Sequence, residues 1–120
     1  MSKKMSYSKI EKIILHDFRN KVNHAESTED LKKFFAYTAK ALFNNVFAGG
    51  MTFDFDDTSL RPDSVPYFQL HERLLSSNDF NAVWDGSDLP QVMGRLAKVA
   101  NNHYIRLAKN PAKTEAKIRM

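Results

Sequence analysis

The 120-residue sequence predicts an all-α fold, a small bundle of about four main helices, and three observations predict it. Apolar residues recur at the three- and four-residue spacing of a helix in three long runs, residues 10–25, 31–47 and 89–107. Helix start and stop residues bracket those runs, with Ser8, Ser27 and Asp88 ahead of them and Gly49-Gly50 and Asn110-Pro111 behind the last two. The one period-two alternation, Met51, Phe53 and Phe55 against Thr52, Asp54 and Asp56, finds no partner strand in a helical chain.

The first helix is expected to start near Ser8, because Ser8 and Glu11 stand at capping-box spacing. Its apolar stripe is Ile10, Ile14, Phe18, Val22 and Ala25, with Ile13 and Leu15 on the flanks. Glu26-Ser27-Thr28 interrupts the period. Ser27, with Asp30 three residues on, reads as the N-cap of the second helix, and Glu29 and Asp30 suit the positive end of its dipole. That helix carries Leu31, Phe34, Phe35, Leu42 and Val46 on one stripe, broadened by Ala39, Phe43 and Phe47. Two helices joined so briefly make an antiparallel hairpin. An apolar face wider than one stripe needs cover on more than one side, from the rest of the chain or from a second copy.

Residues 51–65 read as an irregular acidic loop or a short extended segment, which in a helical chain would pair only with a second copy. Ser64 is expected to cap a third helix with Pro66 in its first turn, burying Phe68, Leu70 or Leu74, and Leu75. Phe80, Val83 and Trp84 suit a short helical turn closed by Asp85-Gly86. The last helix opens with Asp88 and Gln91 at capping-box spacing and Pro90 in its first turn. Leu89, Val92, Met93, Leu96, Ala100, His103, Tyr104 and Leu107 follow on one stripe. The organisation expected is a single domain over 1–110 and a flexible basic tail over 111–120.

Composition excludes whole classes of chemistry. With no Cys there is no disulfide framework, no thiolate zinc site and no cysteine nucleophile. With 42% apolar residues and nine Phe, the chain can build a genuine core. No apolar run approaches the ~18 residues needed to cross a bilayer. The N-terminus also lacks a signal-peptide core, so a cytoplasmic protein is expected. The net charge of +4 is uneven. Residues 1–50 carry nine Lys/Arg against five Asp/Glu, residues 51–89 two against eight, and residues 90–120 seven against Glu115 alone. Basic ends can attract RNA, whereas an acidic middle can fold back on them within one chain or across a dimer.

Three motifs carry recognisable chemistry. Arg19-Asn20-Lys21-Val22-Asn23-His24 resembles the motif of HEPN-domain ribonucleases, small and usually dimeric all-α domains that cleave RNA without metal. The resemblance implies that Arg19 stabilises phosphate charge, Asn20 orients a group and His24 moves a proton. Residues five apart lie about 140° apart around a helix. Arg19 and His24 therefore share a phosphate only if the helix ends near His24 or two subunits compose the site. The alternative makes Arg19 a solvated residue and His24 a dipole-favoured C-terminal one.

His16-Asp17-Phe18-Arg19-Asn20 resembles the phospho-accepting segment of histidine kinases and related helical phosphotransferases. His16 lies opposite the Ile10/Ile14/Phe18 stripe, so it is expected to be exposed. No glycine-rich ATP-binding segment follows, which leaves only a phosphorelay role. Asp54-Phe55-Asp56-Asp57-Thr58 matches the signature of haloacid-dehalogenase-type phosphatases. That chemistry needs a parallel sheet and a downstream Mg²⁺ set, which the chain does not supply, so a solvated acidic loop is expected. A calcium loop is likewise excluded, since Ser59 stands where Gly is needed and Val65 where Glu is needed. His103 is expected at the core boundary, within reach of His71 if the third and last helices pack, and Trp84 as a core anchor.

Together these readings predict a small cytoplasmic helical interaction or regulatory module, homodimeric through its first two helices, with no cofactor and no metal. A protein partner is expected, and RNA is a further partner class through the basic ends. The enzyme alternative is a HEPN-like metal-independent ribonuclease using Arg19, Asn20 and His24. The further alternative is a histidine phosphotransfer domain using His16.

Overall fold

The computed structural model describes residues 6–62 and 64–109. Five helices and one small hairpin follow in chain order: α1 (Ser8–Asn23), α2 (Thr28–Phe47), a 3-10 turn (Phe55–Asp57), β1 (Thr58–Leu60), β2 (Phe68–Leu70), α3 (Glu72–Leu75), α4 (Asn78–Asp85) and α5 (Leu89–Lys109). The mainly helical class and the three long helices agree with the sequence reading. The hairpin does not.

Helix α2 is the centre of the molecule. It packs on α1, α5, β1 and the 3-10 turn, and α1 and α5 also touch each other. Leu31, Phe35, Ala39, Leu42 and Phe43 on α2 are all fully buried, which accounts for the wide apolar face. Its cover comes from Phe18 and Val22 of α1, from Val92, Met93 and Leu96 of α5, and from Phe53 and Leu60 of the middle segment. The width of that face therefore needs no second copy to explain it. At the far end, Phe43, Phe47, Phe53 and Phe80 form a continuous aromatic cluster. Phe47 and Phe80 stack at 5.6 Å, and Trp84 stacks on Phe80 at 5.4 Å. Trp84 is thus the anchor its position suggested.

Local signals explain the helix ends. The Ser27 hydroxyl accepts the Asp30 N–H at 3.1 Å, and the Asp30 carboxylate accepts the Glu26 N–H at 3.1 Å. The first satisfies a donor that the start of α2 would otherwise leave open, and the second ties the residue before the cap to the first turn. Ala48 closes α2 in the left-handed region, with φ 49°, and Gly49 continues there at φ 87°, where a missing Cβ removes the steric cost. The Ser77 hydroxyl caps α4 by accepting from the Phe80 N–H, and Gly86 closes that helix.

Three local expectations are corrected. The N-cap of α1 is Tyr7 with no side-chain cap bond, so Ser8 and Glu11 form no capping box. Asp88 instead accepts the Tyr7 N–H at 2.9 Å, and Glu11 forms an ion pair with Arg95 of α5. A long-range pairing thus displaces the local one. Residues 51–56 are not the strand either. Strand β1 comes just after them and pairs antiparallel with β2 of the same chain, in the register Thr58↔Leu70, Ser59↔Gln69, Leu60↔Phe68. Ser64 consequently caps no helix. Phe68 and Leu70 lie in β2, and α3 is a single turn capped by His71, whose Nδ1 accepts the Arg73 N–H at 2.9 Å. Residues 111–120, expected as a basic tail, and the expected stop at Asn110-Pro111 lie outside the described residues. Among the described residues no helix is long and apolar enough to cross a membrane.

Candidate functional site

A concavity lies between α2 and β1. Four residues of α2 at helical spacing, Glu29, Lys32, Lys33 and Ala36, form one wall. Phe55, Asp56 and Thr58 to Arg61 form the other, and the cleft between them has a volume of about 360 Å³. Of the lining residues Ala36, Thr58 and Leu60 are buried. Its rim is charged. Lys32, Lys33 and Arg61 are exposed cations, and Glu29 and Asp56 are exposed carboxylates. Among the described residues none of these five charges is in an ion pair. The Lys32 ammonium lies 5.9 Å from the centre of the Tyr104 ring, on the α5 side of the wall. Phe55 is half-buried and packs its ring against exposed Tyr37 at 4.7 Å, which carries an aromatic surface from the cleft onto α2.

The strand wall is held by a polar clasp behind it. Asp57 is buried, and its carboxylate accepts from the Asp54 N–H at 2.6 Å and from Arg73 Nε at 3.1 Å, with Arg73 Nη2 completing the fork. The Arg73 Nη2 also donates to the Thr52 carbonyl at 3.0 Å. One guanidinium therefore ties the turn before β1 to the helix after β2. Burial pushes the Asp57 carboxyl up, but the Arg73 guanidinium and the backbone at Asp54 outweigh it and hold the group below the ordinary carboxylate range. Asp57 is thus a structural ligand for arginine, and the Asp54/Asp56 pair of the phosphatase-like motif sits exposed on either side of Phe55.

The motif residues of α1 lie elsewhere. His16, Arg19, Asn20 and His24 are all exposed. Helix α1 ends at Asn23 with His24 as its C-cap, so the helix stops where a shared Arg19–His24 site requires it to. The His24 Nδ1–H donates to the Asn20 carbonyl at 2.7 Å, which fixes the ring and leaves Nε2 as the accessible nitrogen. Asn20 and His24 are therefore brought together through backbone. Arg19 and His24 remain separated by about 7.5 Å of helix rise. His16 lies on the exposed side of α1, as expected.

His103 is half-buried on α5. Burial, and then the Arg106 charge, lower its imidazole below the ordinary value. His71 is exposed and engaged as the α3 cap, so it has a structural role of its own. Among the described residues no group of three or more His, Asp or Glu is placed to hold a metal ion.

Comparison with known protein families, with curated proteins and with solved structures finds no match to this chain. Sequence reasoning missed Lys32, Lys33 and Arg61 as a set. The two lysines fall off the apolar stripe of α2, and Arg61 falls in the segment 51–65 that reads as loop. The available signal was the short inward pattern of Thr58 and Leu60 flanking exposed Ser59, which marks a half-buried strand one step later than the Met51–Phe55 alternation.

Proposed function

We propose that this chain is a small interaction module that binds a protein partner at the α2–β1 cleft. The observation that carries the proposal is the make-up of that cleft: buried Ala36 and Leu60 along it and, on its rim, exposed Lys33 and Arg61, neither of them in an ion pair among the described residues. An apolar concavity edged by a few unspent charges is the usual form of a recognition site. The position also suits a docking role. Exposed side chains can be spent on a partner there without loosening the core, which lies behind Leu60 and Phe35.

Selection of a displayed random-peptide library on the immobilised full chain tests the reading. The native protein should enrich a family of binding peptides that the Lys33→Glu/Arg61→Glu variant does not retain. The paired variant should melt within about 2 °C of the native protein, since surface charge changes away from a network cost little. No enrichment, or equal retention by both proteins, contradicts the proposal.

A second reading is favoured by one observation at the end of α1. There the helix stops at Asn23 and the His24 ring is fixed to the Asn20 carbonyl with Nε2 presented. This arrangement supports HEPN-like cleavage of RNA through its own 2′-hydroxyl, with His24 as the proton-transfer group and Arg19 on the phosphate. Incubation with labelled single-stranded RNA in EDTA decides it. Cleavage that disappears in His24→Ala supports the ribonuclease, and no cleavage, or equal cleavage by both proteins, removes it.

A further inference from the structure

We infer that the adjoining outer edges of α1 and α5 form one basic surface that binds the backbone of double-stranded RNA; the inference does not depend on the α2–β1 cleft. The lie of the two helices comes first. The Tyr7 N–H donates to Asp88 at 2.9 Å and Arg95 Nη2 donates to Glu11 at 2.8 Å, so α1 and α5 start together and run parallel. Helix α2 lies against the other edge of α5, where the Lys32 ammonium is 5.9 Å from the centre of the Tyr104 ring. A right-handed helix advances about 100° per residue, so these contacts put α1 beside the edge of α5 that carries Arg95, Asn102 and Arg106. The same geometry puts α5 beside the edge of α1 that carries Ser8, Lys12, Arg19 and Asn23. Asp17 falls on the opposite edge of α1.

The surface so formed is basic along its length. Helix α5 has 21 residues and no Asp or Glu, and Arg95, Lys98, Asn102, Arg106 and Lys109 make its exposed stripe. Helix α1 adds exposed Lys12 and Arg19. The acids at the near end are already engaged, Glu11 by Arg95 and Asp88 by the Tyr7 N–H. Lys12, Arg19, Lys98, Arg106 and Lys109 remain as cations outside that pair. Lys98 and Lys109 alone are separated by about 16 Å of helix rise, a length that follows several phosphates of one strand.

Charge calls for a polyanion, and shape selects which one. None of the exposed residues of α1 and α5 is aromatic, so the surface offers no platform for unpaired bases, which disfavours a single strand. Two helices side by side are about 20 Å across, too wide for the major groove of DNA, about 12 Å, which admits one. The minor groove of an A-form RNA duplex is wide and shallow and displays 2′-hydroxyls, each a donor and an acceptor. Exposed Asn23 and Asn102 stand among the cations, so their amides bond those hydroxyls while the cations meet the flanking phosphates. A second copy of the chain would set one basic surface against another.

Fluorescence anisotropy of a labelled RNA duplex of about 20 base pairs, titrated with the full chain in EDTA at about 50 to 200 mM salt, tests the inference. Binding is expected in the micromolar range at the lowest salt, with log K falling against log salt at a slope of about −4. Lys12→Glu/Lys98→Glu should weaken it by about tenfold or more and flatten the slope by about 2. Both lysines are exposed and in no ion pair among the described residues, so this variant should melt within about 2 °C of the native protein. If it melts lower, Lys12→Gln/Lys98→Gln carries the test, with a loss of about threefold or more. Lys33→Glu/Arg61→Glu lowers the net charge by the same amount as the first pair but in the cleft, and should weaken binding by less than about threefold. The same sequence as a DNA duplex, or as single-stranded RNA, should bind at least about fivefold more weakly. No binding of the RNA duplex at about 50 mM salt overturns the inference. So does equal weakening by the α1/α5 pair and the cleft pair, or binding of the DNA duplex or the single strand as tight as that of the RNA duplex. None of these results bears on peptide binding at the cleft, so the two readings fail separately.

Discussion

Replacing Asp57 by Ala removes the clasp behind β1, and the structure fixes how much that should cost. The carboxylate is the acceptor for three N–H groups, two on Arg73 and one on the Asp54 backbone, and its side chain is only 6% exposed. The Arg73 side chain, by contrast, is 41% exposed, so the freed guanidinium recovers water. Its share of the loss is therefore about 1 kcal/mol, near the upper end for surface pairs. The lost cap at Asp54 adds about 1 kcal/mol more. The expected total is about 2 kcal/mol, which for a chain of this length is a fall in Tm of about 8 °C.

Arg73→Ala should cost more, about 3 kcal/mol, because it leaves the carboxylate buried with one partner instead of three. The double variant should then cost less than the two singles together, with a coupling of about 1–2 kcal/mol. Urea unfolding of the four proteins measures the cycle. Additive single effects, or a Tm shift below about 2 °C for Asp57→Ala, would refute the clasp. The pH dependence has a definite sign. Because the folded-state pKa of Asp57 is held below its unfolded value, the contribution is complete above that value. It is lost as pH falls below about 4 through the folded pKa, a loss that Asp57→Ala should not show.

Two further outcomes follow from the packing. Phe80→Ala removes the ring shared by Phe43, Phe47, Phe53 and Trp84 and should cost about 3–5 kcal/mol, read by chemical unfolding; a loss under about 1 kcal/mol would mean the aromatic cluster is not packed as described. His103 resists protonation in the folded chain, so stability should decline as pH falls from about 6.5 toward the lower folded pKa. His103→Gln should lessen that decline, and thermal melts at pH 7.5 and about 5.5 would show whether it does.

The long helices were legible because each writes a repeating stripe that only one secondary structure satisfies. Phe18 and Val22, Phe35 and Leu42, and Val92 and Leu96 are buried where the spacing puts them. The hairpin was not legible. Strand β2 is three residues long, too short for alternation to show, and Ser64 with Pro66 imitates a helix start. The α1 cap failed for a different reason: Asp88 and Arg95, some eighty residues away, take the Tyr7 N–H and the Glu11 carboxylate that local spacing would have used. At the α1 motif the sequence foresaw the helix end at His24 but not the tie to the Asn20 carbonyl. The cleft was hidden because Lys33 and Arg61 become neighbours only when β1 folds onto α2.

The absence of cysteine gives the most direct test of where a partner binds, since a single introduced thiol can be labelled uniquely. Ser59→Cys and Asn20→Cys place one label in the cleft and one on the exposed end of α1. Each protein, with and without a bulky maleimide adduct, is titrated with a peptide taken from the library selection. The adduct at position 59 is expected to abolish binding, and the adduct at position 20 to leave it unchanged. Binding that survives the label in the cleft and is lost with the label on α1 would contradict it.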